Sequence, residues 1–233
     1  MEKDFEGTIA KVAATGYGEV EFAGYFGKTP AEVRAILERT HLSAPSAHVG
    51  ALDPDKLPAL LDAARAIGHH YVVIPWIPEE NRKTLDDWKR VGESFNKAAA
   101  LAHDAGLQLA YHNHDFEFTR VEGRIPFDVL LEATDPKLVQ LEIDLYWITK
   151  GGQDPLSYFA RWPGRIPLVH VKDSGGPPDH RMADVGAGKI DWKRIFARED
   201  QAGIQHVFVE HDQPQEAFAS IRASYEYLKR LEF

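Results

Sequence analysis

The sequence predicts a single α/β domain in the form of a parallel (β/α)8 barrel of the TIM type. Short apolar strands recur roughly every 25 to 40 residues, and each is followed by an apolar pattern of helical spacing. Several later strands run directly into His, Asp, Glu or Lys at their C-terminal ends. Parallel barrels assemble their active sites from such strand ends, so the pattern predicts both the fold and the position of the chemistry.

The predicted elements follow from apolar periodicity and from residues that start or end helices. Phe5, Ile9 and Val12 recur at helical spacing ahead of Gly16, a residue type that commonly ends helices. Pro30 in a first turn and Thr84 before an apolar run start two further helices. The predicted helices are residues 3–15, 30–41, 57–67, 84–104, 126–134, 155–162, 191–200 and 215–231. The predicted strands are residues 19–22, 46–49, 71–76, 107–112, 139–144, 167–172 and 206–210.

This order has one strand fewer than a closed eight-stranded barrel requires. We therefore expect a barrel that lacks its first β-strand, because the chain's true start lies upstream or because the barrel is open at that edge. Any export signal would also lie upstream of residue 1, together with that strand. The loop at residues 173–190 is too long for an idle connection, and we interpret it as a substrate lid.

Composition excludes several classes of function. The 233 residues contain 36 Asp and Glu against 27 Lys and Arg, and the formal charge of -9 disfavours nucleic acid as a partner. The absence of cysteine excludes disulfides, thiolate metal sites and cysteine nucleophiles. No apolar run approaches the roughly 18 residues of a membrane span, and residues 1–4 are not a signal peptide. We expect one domain over residues 1–233, a cytoplasmic location, no membrane partner and a possible homo-oligomer.

Asp144, His170 and Glu210 each end a different predicted strand among apolar neighbours. Buried carboxylates need a compensating cation, and one divalent metal ion is the simplest candidate. Oxygen ligands with one or two imidazoles suit Mn²⁺, which we expect first, and also Co²⁺, Mg²⁺ or Zn²⁺. The alternative is that the carboxylates pair with Lys172 or Arg181 and that the histidine is part of the core.

A fourth ligand is expected from the strand that ends at residues 112–114. His112 and His114 face the same side of that strand, so either one can bind the ion while the other acts as acid or base. Glu117 is a third candidate ligand. Lys172 shares the face of His170 and is a candidate to hold a substrate oxygen. The predicted substrate-binding residues are Glu21, His48, Trp76, Glu142, Trp147 and Arg181.

With these residues in place, the chain resembles the sugar phosphate isomerase/epimerase family of xylose-isomerase-like TIM barrels. The matching runs are Glu19–Gly27, Tyr111–Phe118, Ile143–Trp147, Gly151–Pro155, Gly164–Asp173, Asp184–Trp192 and Phe208–Pro214. The resemblance implies one divalent ion held by Glu, Asp, His and Glu from successive strand ends. Asp144, His170 and Glu210 match the second, third and fourth of these ligands. The first Glu falls at residues 112–114, where a histidine replaces a carboxylate.

The resemblance implies a metal-dependent isomerase or epimerase that acts on a sugar or keto-sugar through an enediolate. We predict His112, Asp144, His170 and Glu210 as metal ligands, and Glu210, His114 and Lys172 as catalytic residues. Glu210 or the spare histidine would take a proton, and Lys172 or Arg181 would steady the enolate. The alternatives are a lyase of the inosose-dehydratase or keto-glycoside-cleaving type and a non-catalytic carbohydrate-binding barrel. An abasic-site endonuclease is disfavoured by the charge and by too few ligands for a multi-zinc cluster.

Overall fold

The computed structural model describes residues 4–50 and 55–233; Lys3, the first residue of the predicted N-terminal helix, lies outside them. The strands are β1 (Glu19–Phe22), β2 (Ser43–His48), β3 (Tyr71–Ile74), β4 (Gln108–His112), β5 (Val139–Asp144), β6 (Leu168–Val171), β7 (Asp173–Ser174), β8 (Met182–Ala183) and β9 (His206–Val209). The helices are α1 (Phe5–Thr15), α2 (Pro30–Thr40), α3 (Leu57–Ile67), α4 (Leu85–Asp104), α5 (Pro126–Ala133), α6 (Leu145–Lys150), α7 (Pro155–Arg161), α8 (Trp192–Phe196), α9 (Glu199–Ala202) and α10 (Ala217–Leu228). None of the helices in these two ranges combines the length and apolarity needed to cross a membrane.

Seven of the described strands form one parallel sheet in the order β1-β2-β3-β4-β5-β6-β9, which curls into a nearly closed barrel. Within the described ranges, the edge strands β1 and β9 share no backbone ladder, although His206 Nδ1 and Glu19 Oε2 meet across the gap at 2.7 Å. A cavity of about 290 Å³ lies along this gap, lined by side chains of α1, β1, β9 and α10. The prediction of an α/β barrel with one strand missing is therefore confirmed.

The structure differs from the prediction in several elements, three of which are β2, α6 and the helix predicted at residues 191–200. β2 begins at Ser43, three residues earlier than predicted, because Ser43 pairs with Glu19 of β1 even though the nearby Pro45 has no N–H to donate. The short helix α6 follows β5 without a connecting loop, and its apolar residues had no separate helical signal. The predicted helix at 191–200 is divided into α8 and α9.

Side chains of the central strands alternate between the helix layer and the barrel interior. Tyr111 and Ile143 are buried in the main apolar core under the helices. Their neighbours His112, Glu142 and Asp144 have the opposite facing and point into the barrel. A separate apolar layer seals the interior below them, formed by Val73, Ala110, Leu168 and Phe208. The charged residues thus lie between this layer and the C-terminal mouth of the barrel.

The long loop after β6 is anchored at its base by the buried carboxylate of Asp173. Its Oδ1 accepts hydrogen bonds from the backbone N–H groups of Ser174 (2.7 Å) and Ile190 (3.1 Å). Its Oδ2 accepts from Gly186 N (2.9 Å) and from Trp192 Nε1 (2.8 Å). The predicted lid therefore has a fixed base, and residues 177–179 form its exposed tip.

Replacing Asp173 by Asn is expected to loosen this loop. One carboxylate oxygen becomes an NH₂ group that faces N–H donors, so two buried donors lose their acceptor, at a cost of about 1–3 kcal/mol each. Urea unfolding should show the lost stability, and limited proteolysis should cut within residues 175–190. Asp191→Asn is the matched control, because an asparagine at that helix start still caps α8. Equal stability and equal protease resistance of the two variants would contradict the anchoring role.

Candidate metal centre

Three predicted ligands converge at the mouth of the barrel. Asp144, His170 and Glu210 come from the ends of β5, β6 and β9, and each offers a ligand atom within 4.8 Å of the other two. His170 Nδ1 lies 2.7 Å from Glu210 Oε2. Lys172 Nζ lies 2.8 Å from the same oxygen and 3.1 Å from Asp144 Oδ2. We call Asp144, His170, Lys172 and Glu210 the outer cluster.

A second group of charged residues lies deeper in the barrel. His48 Nε2 is 2.9 Å from both Glu21 Oε2 and Glu142 Oε2. Glu142 Oε2 is also 3.1 Å from His112 Nδ1, and Glu21 Oε2 is 2.7 Å from His170 Nε2. His48, His112, Glu142 and His170 form a second set of candidate ligands within 4.8 Å of one another. We call Glu21, His48 and Glu142 the inner cluster.

The junction of β5 and α6 orients Asp144. Asp144 is the N-cap of α6, and its Oδ1 accepts hydrogen bonds from Tyr146 N and Trp147 N, both at 2.9 Å. Its backbone N–H donates to the Asn113 side chain at the end of β4. One carboxylate oxygen is therefore committed to the helix, and Oδ2 is directed towards the outer cluster.

The described residues fit a divalent cation. Asp144 Oδ2 is buried 3.1 Å from the Lys172 ammonium group, and Glu142 Oε1 and Glu21 Oε1 are buried without a hydrogen-bond partner among the described residues. Buried carboxylate oxygens in that state are costly unless a cation compensates them. The remaining donors are imidazole nitrogens and carboxylate oxygens, which suit Mn²⁺, Co²⁺, Mg²⁺ and Zn²⁺. The cluster is thus able to hold a metal ion.

The charges of the outer cluster reinforce one another. Burial alone would lower the pKa of Lys172, but Asp144, Glu210 and Asp212 raise it, so the ammonium group stays charged. Burial would raise the pKa of Glu210, but His170 and Lys172 hold it well below its usual range. Burial would lower the pKa of His170, yet the surrounding carboxylates raise it well above its ordinary value. The mouth of the barrel is therefore a region of paired, ionised groups.

The two histidines of β4 and the loop after it are held neutral. Burial, together with the positive charge of His170, lowers the pKa of His112 well below its ordinary value. Burial and the charge of Lys172 lower the pKa of His114 to about 4. A neutral imidazole is the form that binds metals and accepts protons. Either ring can therefore serve as ligand or base near neutral pH.

Aromatic side chains form a wall beside the outer cluster. The His114 ring lies 5.0 Å from Trp76, 5.5 Å from Trp147 and 5.7 Å from Phe116, measured between ring centroids. Lys172 Nζ lies 5.6 Å from the Trp147 ring centroid. Trp76 is 45% exposed, so this wall opens to solvent at the barrel mouth. A flat apolar wall next to charged groups is suited to one face of a ring-shaped polar ligand.

Two candidate residues lie apart from both clusters. The Arg181 side chain is 86% exposed, and its Nε lies 4.0 Å from Asp179 Oδ2, with which it forms an ion pair. Glu117 is fully buried, where it accepts hydrogen bonds from Tyr111 OH (2.6 Å) and His114 N (3.0 Å). Its carboxylate supports the loop after β4, and it is absent from both sets of candidate ligands found in the described ranges. The substrate role of Arg181 stays a prediction.

One residue of the site was not singled out from the sequence. Asp212 Oδ1 lies 3.0 Å from Lys172 Nζ and completes a ring of three carboxylates around that ammonium group. The available signal was its spacing, because it follows Glu210 by two residues and so has the same facing. Glu21, His48 and Glu142 were predicted to bind substrate. The structure places them below the outer cluster, in contact with its histidine and with His112, and their role in substrate binding stays a prediction.

The chain is similar to known proteins in both sequence and fold. The chain is 30% identical over 188 residues to an inosose dehydratase from Geobacillus kaustophilus, an alignment that covers 71% of this chain and 60% of the relative's length. An inosose dehydratase from Lacticaseibacillus casei is 26% identical over a 250-residue alignment that covers 91% of this chain and 83% of the relative. The crystal structure of a sugar phosphate isomerase/epimerase from Parabacteroides distasonis superposes with a TM-score of 0.85 at 27% identity, and covers 98% of this chain and 92% of that one.

The sequence model of one family matches nearly the whole chain. The match runs over residues 9–231, from α1 to beyond the end of α10, and so includes every residue of the inner and outer clusters. The described strand order, a nearly closed parallel barrel, is the architecture that the family's name states. The protein belongs to the xylose isomerase-like TIM barrel family.

Proposed function

We propose that this protein is a divalent-metal-dependent enzyme that removes a proton next to the carbonyl group of a keto-sugar or keto-cyclitol. The observation that carries the proposal is the convergence of Asp144, His170 and Glu210, each of which offers a ligand atom within 4.8 Å of the other two. The names of the inosose dehydratase relatives support a substrate of the polyhydroxylated ketone type. No larger partner is needed for this chemistry.

Four residues would hold the ion: Asp144 through Oδ2, Glu210 through Oε2, His112 through Nε2, and His170 through Nδ1, which would release its proton as the ion binds. His112 Nε2 lies 3.8 Å from Asp144 Oδ2, on the side of the ring that faces the outer cluster. When bound there, a divalent ion supplies a Lewis acid that polarises a carbonyl oxygen. We expect Mn²⁺ first, because the set combines two carboxylates with two imidazoles.

His114 is the proposed base. Its ring is neutral, since burial lowers its pKa to about 4, and its buried Nδ1 makes no hydrogen bond within the described ranges. A ring nitrogen of His114 would accept the proton from the carbon next to the carbonyl. The aromatic wall of Trp76 and Trp147 would orient the sugar ring against it. Proton removal and ring placement then act from the same side of the site.

Lys172 is the proposed electrostatic stabiliser. Its ammonium group is buried, charged and held by Asp144, Glu210 and Asp212 at 2.8 to 3.1 Å. Because its pKa is raised, Lys172 is a poor base and a persistent positive charge. It would stabilise the negative charge that develops on the carbonyl oxygen as the proton leaves. Glu210 orients the ammonium group.

We propose that dehydration follows proton removal: the hydroxyl on the carbon next to the deprotonated one takes the proton that His114 had accepted and leaves as water, and a carbon–carbon double bond forms between these two carbons. The relatives named inosose dehydratase favour this outcome. Isomerisation or epimerisation, in which the proton returns to carbon, is the second candidate. The name of the Parabacteroides distasonis structure favours it. The two outcomes share the base, the stabiliser and the ion.

Protein purified without added metal is expected to hold about one divalent ion per chain. Asp144→Asn should lose the ion and the activity together, because it removes the negative charge of a fully buried carboxylate ligand. Elemental analysis and titration with Mn²⁺ measure this. A folded wild-type protein that binds neither Mn²⁺ nor Co²⁺ would favour a non-catalytic carbohydrate-binding barrel.

Lys172→Met and His114→Gln are expected to separate catalysis from ion binding. Removing the stabilising charge should lower kcat about 10²-fold or more, and removing the base about 10²- to 10⁴-fold. Both variants should still bind the ion, since neither residue is a proposed ligand. Steady-state kinetics and metal titration on the same preparations test this. A variant with full activity would lose its assigned role.

Incubation of inososes and keto-sugars with Mn²⁺ in D₂O, followed by NMR, is expected to show exchange of the proton next to the carbonyl. A new unsaturated product would support dehydration. Exchange with a rearranged saturated sugar would support isomerisation or epimerisation instead. The Asp144→Asn protein is the control for exchange in solution. Absence of exchange across both substrate classes would contradict the proposed chemistry.

A further inference from the structure

His112 and His170 each face both clusters, with one ring nitrogen towards each. His170 places Nδ1 2.7 Å from Glu210 Oε2 in the outer cluster and Nε2 2.7 Å from Glu21 Oε2 in the inner cluster. His112 places Nε2 on the side of Asp144, at 3.8 Å, and Nδ1 3.1 Å from Glu142 Oε2. The two rings form the boundary between the clusters.

A neutral imidazole has one nitrogen that carries a hydrogen and one nitrogen with a free lone pair. The first can donate a hydrogen bond, and only the second can bind a metal ion. A carboxylate next to one ring nitrogen keeps the hydrogen on that nitrogen, so the other nitrogen is free to bind the metal ion. By accepting the N–H, the carboxylate also makes the ring a stronger metal ligand. Glu142 and Glu21 are such carboxylates. Both lie behind the rings, and the side chain of Glu142 is completely buried, whereas that of Glu21 is 6% exposed.

We propose that Glu142 is a positioning residue that accepts the Nδ1–H of His112 and thereby directs the Nε2 lone pair of that histidine to the metal ion. Glu21 has the same relation to His170, with the nitrogens exchanged: it accepts Nε2–H and leaves Nδ1 for the ion. His48 lies 2.9 Å from both carboxylates and supports the pair. The inference rests on the proposed metal site, but it concerns ion binding and not the sugar reaction.

The geometry sets the inner cluster apart as a support. Glu142 Oε2 has three histidine nitrogens around it, at 2.9 Å from His48, 3.1 Å from His112 and 3.3 Å from His170. Glu142 Oε2 is therefore a shared neighbour of the three histidine nitrogens that face away from the barrel mouth. The alternative is that the inner cluster holds an ion of its own, and this alternative predicts a different stoichiometry.

Glu142→Gln is expected to weaken Mn²⁺ or Co²⁺ binding by about 10- to 100-fold, the range found when a supporting carboxylate of a ligand histidine is removed. Calorimetric titration of the metal-free protein, without substrate, measures the affinity. Glu117→Gln is the matched control, because Glu117 is an equally buried carboxylate whose partners are Tyr111 and the backbone of His114. Equal affinities of the two variants would overturn the inference.

A second substitution tests positioning against a merely structural role. In the Glu142→Gln protein, His112→Glu is expected to restore ion affinity to within a few-fold of wild type, because a carboxylate ligand has no ring proton to place. His112→Glu alone should bind more weakly than the double variant, since the new carboxylate would face Glu142 directly. Failure of the double variant to recover affinity would contradict the proposal.

Wild-type protein alone gives a third readout. Nitrogen-15 NMR of the metal-free protein is expected to show His112 protonated at Nδ1 and unprotonated at Nε2; the reverse tautomer would overturn the inference. Two ions per chain, of which Glu142→Gln loses one, would identify the inner cluster as an ion site and also overturn it. Normal ion binding without sugar turnover would remove the proposed function and leave this inference intact.

Discussion

The interior of this barrel must accommodate several carboxylates out of contact with water. Glu142 and Asp144 are fully buried, the side chain of Glu21 is 6% exposed, and Glu210 and Asp212 lie nearby at the mouth. Isolated buried carboxylates are costly, so each needs a hydrogen-bond donor or a cation. The histidines, Lys172 and the proposed ion together provide the hydrogen-bond donors and the positive charge that these carboxylates require. The arrangement of the rest of the site follows from how those positive groups are distributed.

The distribution has two levels, and the strand geometry produces both. Side chains two residues apart on a strand share a face, so Glu142 and Asp144 point into the barrel at different depths. The deeper carboxylate meets histidine nitrogens, and the shallower one meets Lys172. The same spacing separates His112, on the boundary between the two clusters, from His114 in the aromatic wall beside the outer cluster. A single period-two pattern thus supplies both the candidate ligands and the groups behind them.

The gap between β1 and β9 borders on the inner cluster. Glu21, His48 and His170 line its cavity together with apolar side chains of α1 and β9. On the outside, α1 and α10 contact each other directly, and Tyr17 OH donates to Ile221 O at 2.8 Å. The helix layer is therefore continuous where the described sheet is not.

Local pattern was enough to predict the barrel, the strand ends and the residues at them, including Asp144, His170 and Glu210. The strands and their end residues follow from the periodicity of apolar residues along the chain, and predicting them requires no knowledge of which strands pair. Tertiary structure alone decided which nitrogen of His112 faces Glu142, and that Asp212 joins Lys172 while Arg181 stays on the surface. The physical reason is that the side of the sheet on which a side chain lies alternates regularly along one strand, so the sequence alone predicts it. The depth of a side chain in the barrel, the strand register and the orientation of an imidazole ring depend on pairing between strands that are distant in sequence.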